Sequence, residues 1–79
     1  MEHLVTSSQQ LSKVLKGIRG ELGLTQEQLG ARIGFPQKEV SHMEHRVHKT
    51  RVERLFQLLS ALDCEMVIRP RPLPEDSEW

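Results

Sequence analysis

Residues 25–44, TQEQLGARIGFPQKEVSHME, hold two helix beginnings on either side of a glycine-phenylalanine-proline turn. So short a stretch, divided in that way, has room only for two short helices meeting at an angle. Thr25 followed by Gln28 is a capping-box pattern, in which the threonine oxygen accepts from a free backbone N–H and the glutamine side chain accepts in return. Leu29 and Ile33 lie four apart on the inner face of the helix that begins there. Gly34 then offers a residue able to turn with positive φ without a Cβ clash, so this helix stops at it. Phe35 returns an apolar group to the core, and Pro36, with φ already fixed, suits the first turn of a second helix over residues 36–45.

On the second helix Val40 and Met43 are three apart and face inward. Gln37, Lys38, Ser41, His42 and His45 are left outside. Glutamine bonds adenine bidentately, lysine donates to guanine, and serine bonds either base edge, so this face carries the chemistry of major-groove readout. A merely solvated helix face has the same residue types, and the helix alone does not separate the two readings.

The flanks supply the rest of a small helical core. From a cap near Ser8, Leu11, Leu15, Ile18 and Leu22 recur with the period of an amphipathic helix that ends at Gly23. Gly17 and Gly20 each cost that helix about 1 kcal/mol relative to alanine, which points either to close packing or to a helix held by tertiary contacts. Thr50 with Glu53 repeats the capping-box pattern, and Val52, Leu55, Phe56, Leu59 and Leu62 give a further amphipathic helix closing the core. Asp63 and Cys64 end it. Residues 65–69, EMVIR, alternate polar and apolar as a short strand, yet no second strand is available in the same chain. Two copies pairing across a two-fold axis through Met66, Val67 and Ile68 would satisfy it.

The pattern of Thr25, Gln26, Leu29, Gly30, Ile33, Gly34, Gln37, Val40, Ser41 and Glu44 resembles the lambdoid-repressor type of helix-turn-helix, the Xre/Cro family, over residues 11–62. The resemblance implies that Gly30 lets the two helices cross closely. It implies that Gln26 touches a phosphate or braces Gln37, and that Gln37, Lys38 and Ser41 meet bases. It also implies that Arg19 pairs with Glu44. With Thr25, His42, Arg46 and Lys49 these residues make up the expected DNA-contacting set. The strand at 65–69 and the tail at 70–79 ending in Trp79 resemble the HipB-type antitoxins, which pair a repressor-like domain with a kinase toxin. That likeness implies a homodimer on a palindromic operator, a HipA-type toxin as second partner, and Trp79 as an anchor for that toxin or a degradation signal. A stand-alone repressor and a protein-interaction adaptor of the same fold are the competing readings.

Length and charge bound these readings. At 79 residues the chain makes one domain whose core is too small to enclose a substrate cleft, and no acid, base and nucleophile can be assembled, so a binding module is expected rather than an enzyme. Net charge is zero, which is poor for a DNA binder unless the charge is uneven. It is uneven: between residues 32 and 54, Arg32, Lys38, Arg46, Lys49, Arg51 and Arg54 stand against Glu39, Glu44 and Glu53, whereas Glu75, Asp76 and Glu78 sit in the tail. Three prolines, Pro70, Pro72 and Pro74, with those acids predict a solvated, disordered tail. His42, His45 and His48 recur every three residues, but they lack the further strong ligand that zinc demands, and no metal or cofactor is expected. A single cysteine, Cys64, excludes a disulfide framework, and no apolar run is long enough for a signal peptide or a membrane span. The expectation is a cytoplasmic, nucleoid-associated protein. Its fold is all-α: a four- or five-helix domain at 8–62, a dimerising strand at 65–69 and a flexible tail at 70–79.

Overall fold

The computed structural model describes residues 2–72 of the chain, and the expected tail anchor Trp79 lies outside them. Four α-helices, α1 (Ser8–Glu21), α2 (Gln26–Ile33), α3 (Gln37–His45) and α4 (Val52–Ala61), are joined by short loops, with a 3-10 turn (Val47–Lys49) between α3 and α4. Their inward faces meet in one core of Leu15, Leu29, Val40, Met43, Val47, Leu55, Leu58, Leu59 and Leu62. Each leucine removed from water there is worth roughly 1.5–3 kcal/mol, so the core, more than intrinsic propensity, holds these short helices.

Ser7, one residue before the expected cap, starts α1 by accepting from the Gln10 N–H at 3.1 Å. Gln10 Oε1 in turn accepts from the Thr6 N–H at 2.7 Å, which ties the lead-in to the helix. Leu15 is buried and Leu11 and Ile18 pack at the margin, but Leu22 falls on the C-cap and is exposed rather than inside. A Cβ added at Gly17 or Gly20 would meet nothing within 4 Å. Close packing is therefore not their reason, and α1 is held by its leucine face.

Both arms of the capping box at the start of α2 are present: the Gln28 N–H donates to Thr25 Oγ1 at 3.0 Å and the Thr25 N–H to Gln28 Oε1 at 2.9 Å. The helix ends on Gly34 with φ of 74°, the left-handed conformation that glycine adopts without penalty. Gly30 is required for a different reason. A Cβ there would run into the Phe35 carbonyl oxygen and lie 3.1 Å from Val40 Cγ2, so even alanine is too large where α2 meets the turn. Pro36 sits one residue outside α3, as its N-cap with extended ψ of 156°, and not in the first turn.

The last helix departs most from the sequence pattern. Thr50 does not cap α4: its N–H closes the 3-10 turn on Val47, its hydroxyl donates to the Arg46 carbonyl at 3.2 Å, and Arg51 takes the cap position with no side-chain bond. Leu58 joins the buried face, whereas Val52 and Phe56 remain 62% and 49% exposed. Successive helical residues rotate by about 100°, which carries Phe56 off the stripe that Leu55, Leu59 and Leu62 share. Arg32 Nη1 donates to the Ala61 carbonyl at 2.9 Å, clasping α2 to the end of α4, and Asp63 leaves the helix with φ of 56°. Beyond it, residues 65–69 form no strand ladder among the described residues of the single chain, and Met66, Val67 and Ile68 stand in solvent.

Candidate nucleic-acid interface

The N-terminal ends of α2 and α3 are brought side by side by the tight Gly34–Phe35–Pro36 connection, and a chain of polar side chains joins them. Gln37, the first residue of α3, donates from Nε2 to Oε1 of Gln26, the first residue of α2, at 2.8 Å. Gln26 Nε2 donates to Glu44 Oε1 at 2.9 Å. Glu44, near the far end of α3, is completely buried and is met from α1 by Arg19, whose Nε lies 2.7 Å from Oε2 and Nη2 3.3 Å from Oε1. Arg19 Nη1 also holds the Leu24 carbonyl at 2.9 Å, immediately before α2 begins. One arginine thus fixes the entry to α2 and the end of α3 together. Every buried side-chain polar atom among the described residues has a partner.

Around this chain the remaining expected residues fall into two adjoining shallow grooves. Gln37, Lys38, Ser41, His42 and Arg46 line the first, along the outer face of α3, together with His45. His45 Nδ1 lies 2.8 Å from the Ser41 carbonyl, so that nitrogen donates to the helix backbone. Lys38, His42 and Arg46 also border the second groove, which runs from α3 to the start of α4, and Lys49 lines that groove alone. Thr25 is apart from both, exposed at the α2 N-terminus with its oxygen occupied by the cap. Met66, Val67 and Ile68 are not part of either groove.

Two further residues of the second groove, Arg51 and Arg54, lie outside the DNA-contacting set expected from the sequence. Their signal is present in Lys49-Thr50-Arg51 and in the cation one turn later, at the start of a helix adjoining the motif. Arg54 is partly engaged already, with Nη1 3.2 Å from Glu39 Oε2 and its guanidinium 5.0 Å from the Phe35 ring centre. Since Glu39 is matched by Arg54 and Glu44 by Arg19, the cations Lys38, Arg46, Lys49 and Arg51 give this side an excess of positive charge in spite of the neutral total. Such a local excess is what phosphate neutralisation needs.

A helix-turn-helix family model matches residues 15–68, which include α2, α3 and α4. The antitoxin HipB of Escherichia coli K12 is 30% identical over 64 residues, covering 81% of this chain and 73% of that protein. This chain belongs to the HipB antitoxin family of helix-turn-helix proteins. HipB of Escherichia coli O6:H1 (strain CFT073) matches at the same 30% identity, over 81% of this chain and 68% of its own length. The solved HipA-HipB-O2-O3 complex contains a chain that superposes with a TM-score of 0.83 at 27% identity, covering 90% of this chain and all of that one. A HipB-O4 20mer complex superposes equally, with a TM-score of 0.83 and 27% identity over the same shares. The all-α repressor-like fold is therefore that of the family.

Among the described residues no three or more histidine, cysteine, aspartate or glutamate side chains gather to hold a metal ion, and no helix is long and apolar enough to cross a membrane. Cys64 Sγ is taken up against the Leu62 carbonyl at 3.5 Å, at the edge of the core.

Proposed function

We propose that this chain is the DNA-binding antitoxin and autorepressor of a HipBA-type operon, binding a palindromic operator as a homodimer and also holding a HipA-type kinase toxin. The observation that carries the DNA part is the presentation of Gln37 at the head of α3. It is braced by Gln26, with Lys38 and Ser41 on the same groove and the cations Arg46 and Lys49 beside it. In this reading Gln37, Lys38 and Ser41 meet base edges, with His42 at the margin. Arg46 and Lys49 follow the phosphates, joined by Arg51, while Thr25 and Gln26 face a phosphate at the α2 N-terminus. A helix of this length reads only a few base pairs, so two copies on successive major-groove faces, about 34 Å apart, supply the remaining specificity. The exposed apolar groups Val52, Phe56, Met66, Val67 and Ile68 support a second copy as the partner that covers them. Such a protein works in the cytoplasm, at the nucleoid, as a binding protein without catalysis of its own.

The antitoxin part is supported by kinship with HipB and by the chain of the HipA-HipB-operator complex that this one superposes on. Trp79 is read as a toxin anchor because tryptophan carries interface energy more often than most side chains. Footprinting on the DNA that flanks its own coding region tests the repressor: two protected half-sites one helical turn apart are expected, and uniform weak protection would refute it. Co-purification with a co-expressed HipA-type protein tests the antitoxin, with Trp79→Ala expected to weaken the pair while operator affinity stays unchanged. A complex as tight with Trp79→Ala as with the parent would remove that residue from the interface.

A further inference from the structure

The polar chain running through Gln26 has a direction, and we infer that the buried Glu44 carboxylate, acting through Gln26, sets which base Gln37 accepts. This inference rests on Gln37 reading bases, and deepens that reading by assigning Glu44 and Gln26 as positioning residues for its specificity. A carboxylate only accepts hydrogen bonds. The Gln26 group 2.9 Å from Glu44 Oε1 is therefore its N–H donor, because a carbonyl oxygen there would face a carboxylate oxygen with no proton between them. That fixes the other end of the Gln26 amide as an oxygen, and at 2.8 Å it accepts from Gln37 Nε2. Gln37 has then used one of its two N–H groups, leaving one N–H and one carbonyl oxygen for DNA.

That remainder is the complement of adenine, whose major-groove edge offers the N6 donor and the N7 acceptor. It mismatches guanine, whose O6 and N7 are both acceptors and whose O6 would face the Gln37 oxygen. Were the chain reversed, with Gln37 accepting from Gln26, both Gln37 N–H groups would be available and guanine would fit. Adenine over guanine is thus decided by an acceptor that never approaches the DNA. Its orientation is secured in turn by Arg19, which occupies both carboxylate oxygens from α1. Because Glu44 is wholly buried, solvent does not compete with Gln26 for its carboxylate.

The test is the base preference of the parent and its variants on a randomised duplex library, with each folded state checked by a thermal melt. Gln37→Ala first locates the position it reads. At that position the parent is expected to favour adenine over guanine on the order of tenfold to a hundredfold, the range that one good bidentate contact supplies. Glu44→Gln, which can donate as well as accept and so lets the Gln26 amide turn over, is expected to reduce that ratio to within a few-fold while preferences elsewhere are retained. Gln26→Met, which cuts the chain but leaves Arg19 on both oxygens of Glu44, is expected to do the same, and it decides the matter if Glu44→Gln does not fold. The exchange Glu44→Gln with Gln26→Glu restores the direction, since a carboxylate at position 26 would accept from both neighbours, and is expected to recover the adenine preference despite weaker overall affinity. Gln26→Met with the full adenine preference would overturn the relay alone. Gln37→Ala with no change at any position would overturn the base-reading role itself, and the relay with it.

Discussion

Arg19 closes on Glu44 with Nε 2.7 Å from Oε2, and the Glu44 side chain is wholly buried while the Arg19 side chain keeps a fifth of its surface in solvent. The two ends of this pair are therefore not equivalent. Removing Glu44 leaves Arg19 with the Leu24 carbonyl and a path to water. Removing Arg19 leaves a buried carboxylate with only the Gln26 amide.

Arg19→Ala is accordingly expected to destabilise by about 3–5 kcal/mol, as when a buried pair loses one member, and Glu44→Ala by less. For a domain of this size that is a large share of the total stability. Chemical denaturation beside Glu27→Ala, an exposed position expected to shift stability by no more than about 0.5 kcal/mol, measures it. An Arg19→Ala midpoint matching that control would mean that Glu44 reaches water or another partner once the arginine is gone, and that the pair does not hold the junction.

Much of this architecture is written locally in the chain. The capping box at Thr25 and Gln28, the stop at Gly34 and the inward pair Val40 and Met43 each depend on neighbours a few residues away, so a pattern of types and spacings suffices. The start of α4 escapes such a pattern because the 3-10 turn, which sequence periodicity does not announce, takes up the Thr50 backbone and moves the cap to Arg51. Phe56 suits a core stripe by residue type alone, but the face it occupies is decided by which turn of α4 meets α2, a long-range matter. The Gln26–Glu44 contact joins residues 18 apart, and no local spacing encodes it.

The glycines separate into two kinds. Gly30→Ala places a methyl against the Phe35 carbonyl and Val40, and overpacking of this kind is expected to cost about 1–3 kcal/mol. Gly17→Ala, on an open helix face, is expected to stabilise by about 0.5–1 kcal/mol, the helix propensity difference. Urea melts of the two variants should move in opposite directions. A Gly30→Ala protein as stable as the parent would mean that the turn relaxes freely, and the close approach would lose its significance.

On DNA, bonds to bases and to phosphates differ in their signature. Gln37→Ala should cost about 1–3 kcal/mol on the cognate operator and relax preference at one position, because only that pairing disappears. Arg46→Ala and Lys49→Ala should instead weaken matched and scrambled duplexes alike and make log affinity less steep in log salt, by about one unit for each phosphate no longer neutralised. Band-shift titrations at several salt concentrations distinguish them. Equal losses for Gln37→Ala on both duplexes would strike it from the base-reading set.

The second copy needs apolar surface to cover, and the exposed groups supply it in two places. Phe56 and Val52 project from α4, and Ile68, 91% exposed, follows with Val67 and Met66 in a segment whose backbone makes no ladder among the described residues. Pairing of residues 65–69 with the same segment of another copy would satisfy that backbone and shield Val67 and Ile68 at once. Val67→Pro removes one ladder donor and is expected to raise the dimer dissociation constant, while Phe56→Glu places a charge in the contact and is expected to raise it as well. Sedimentation equilibrium over a range of concentrations reads both. If Val67→Pro remains as dimeric as the parent while Phe56→Glu dissociates, the interface belongs to α4 alone and the segment at 65–69 is a linker. If neither variant dissociates, the copies meet on another face.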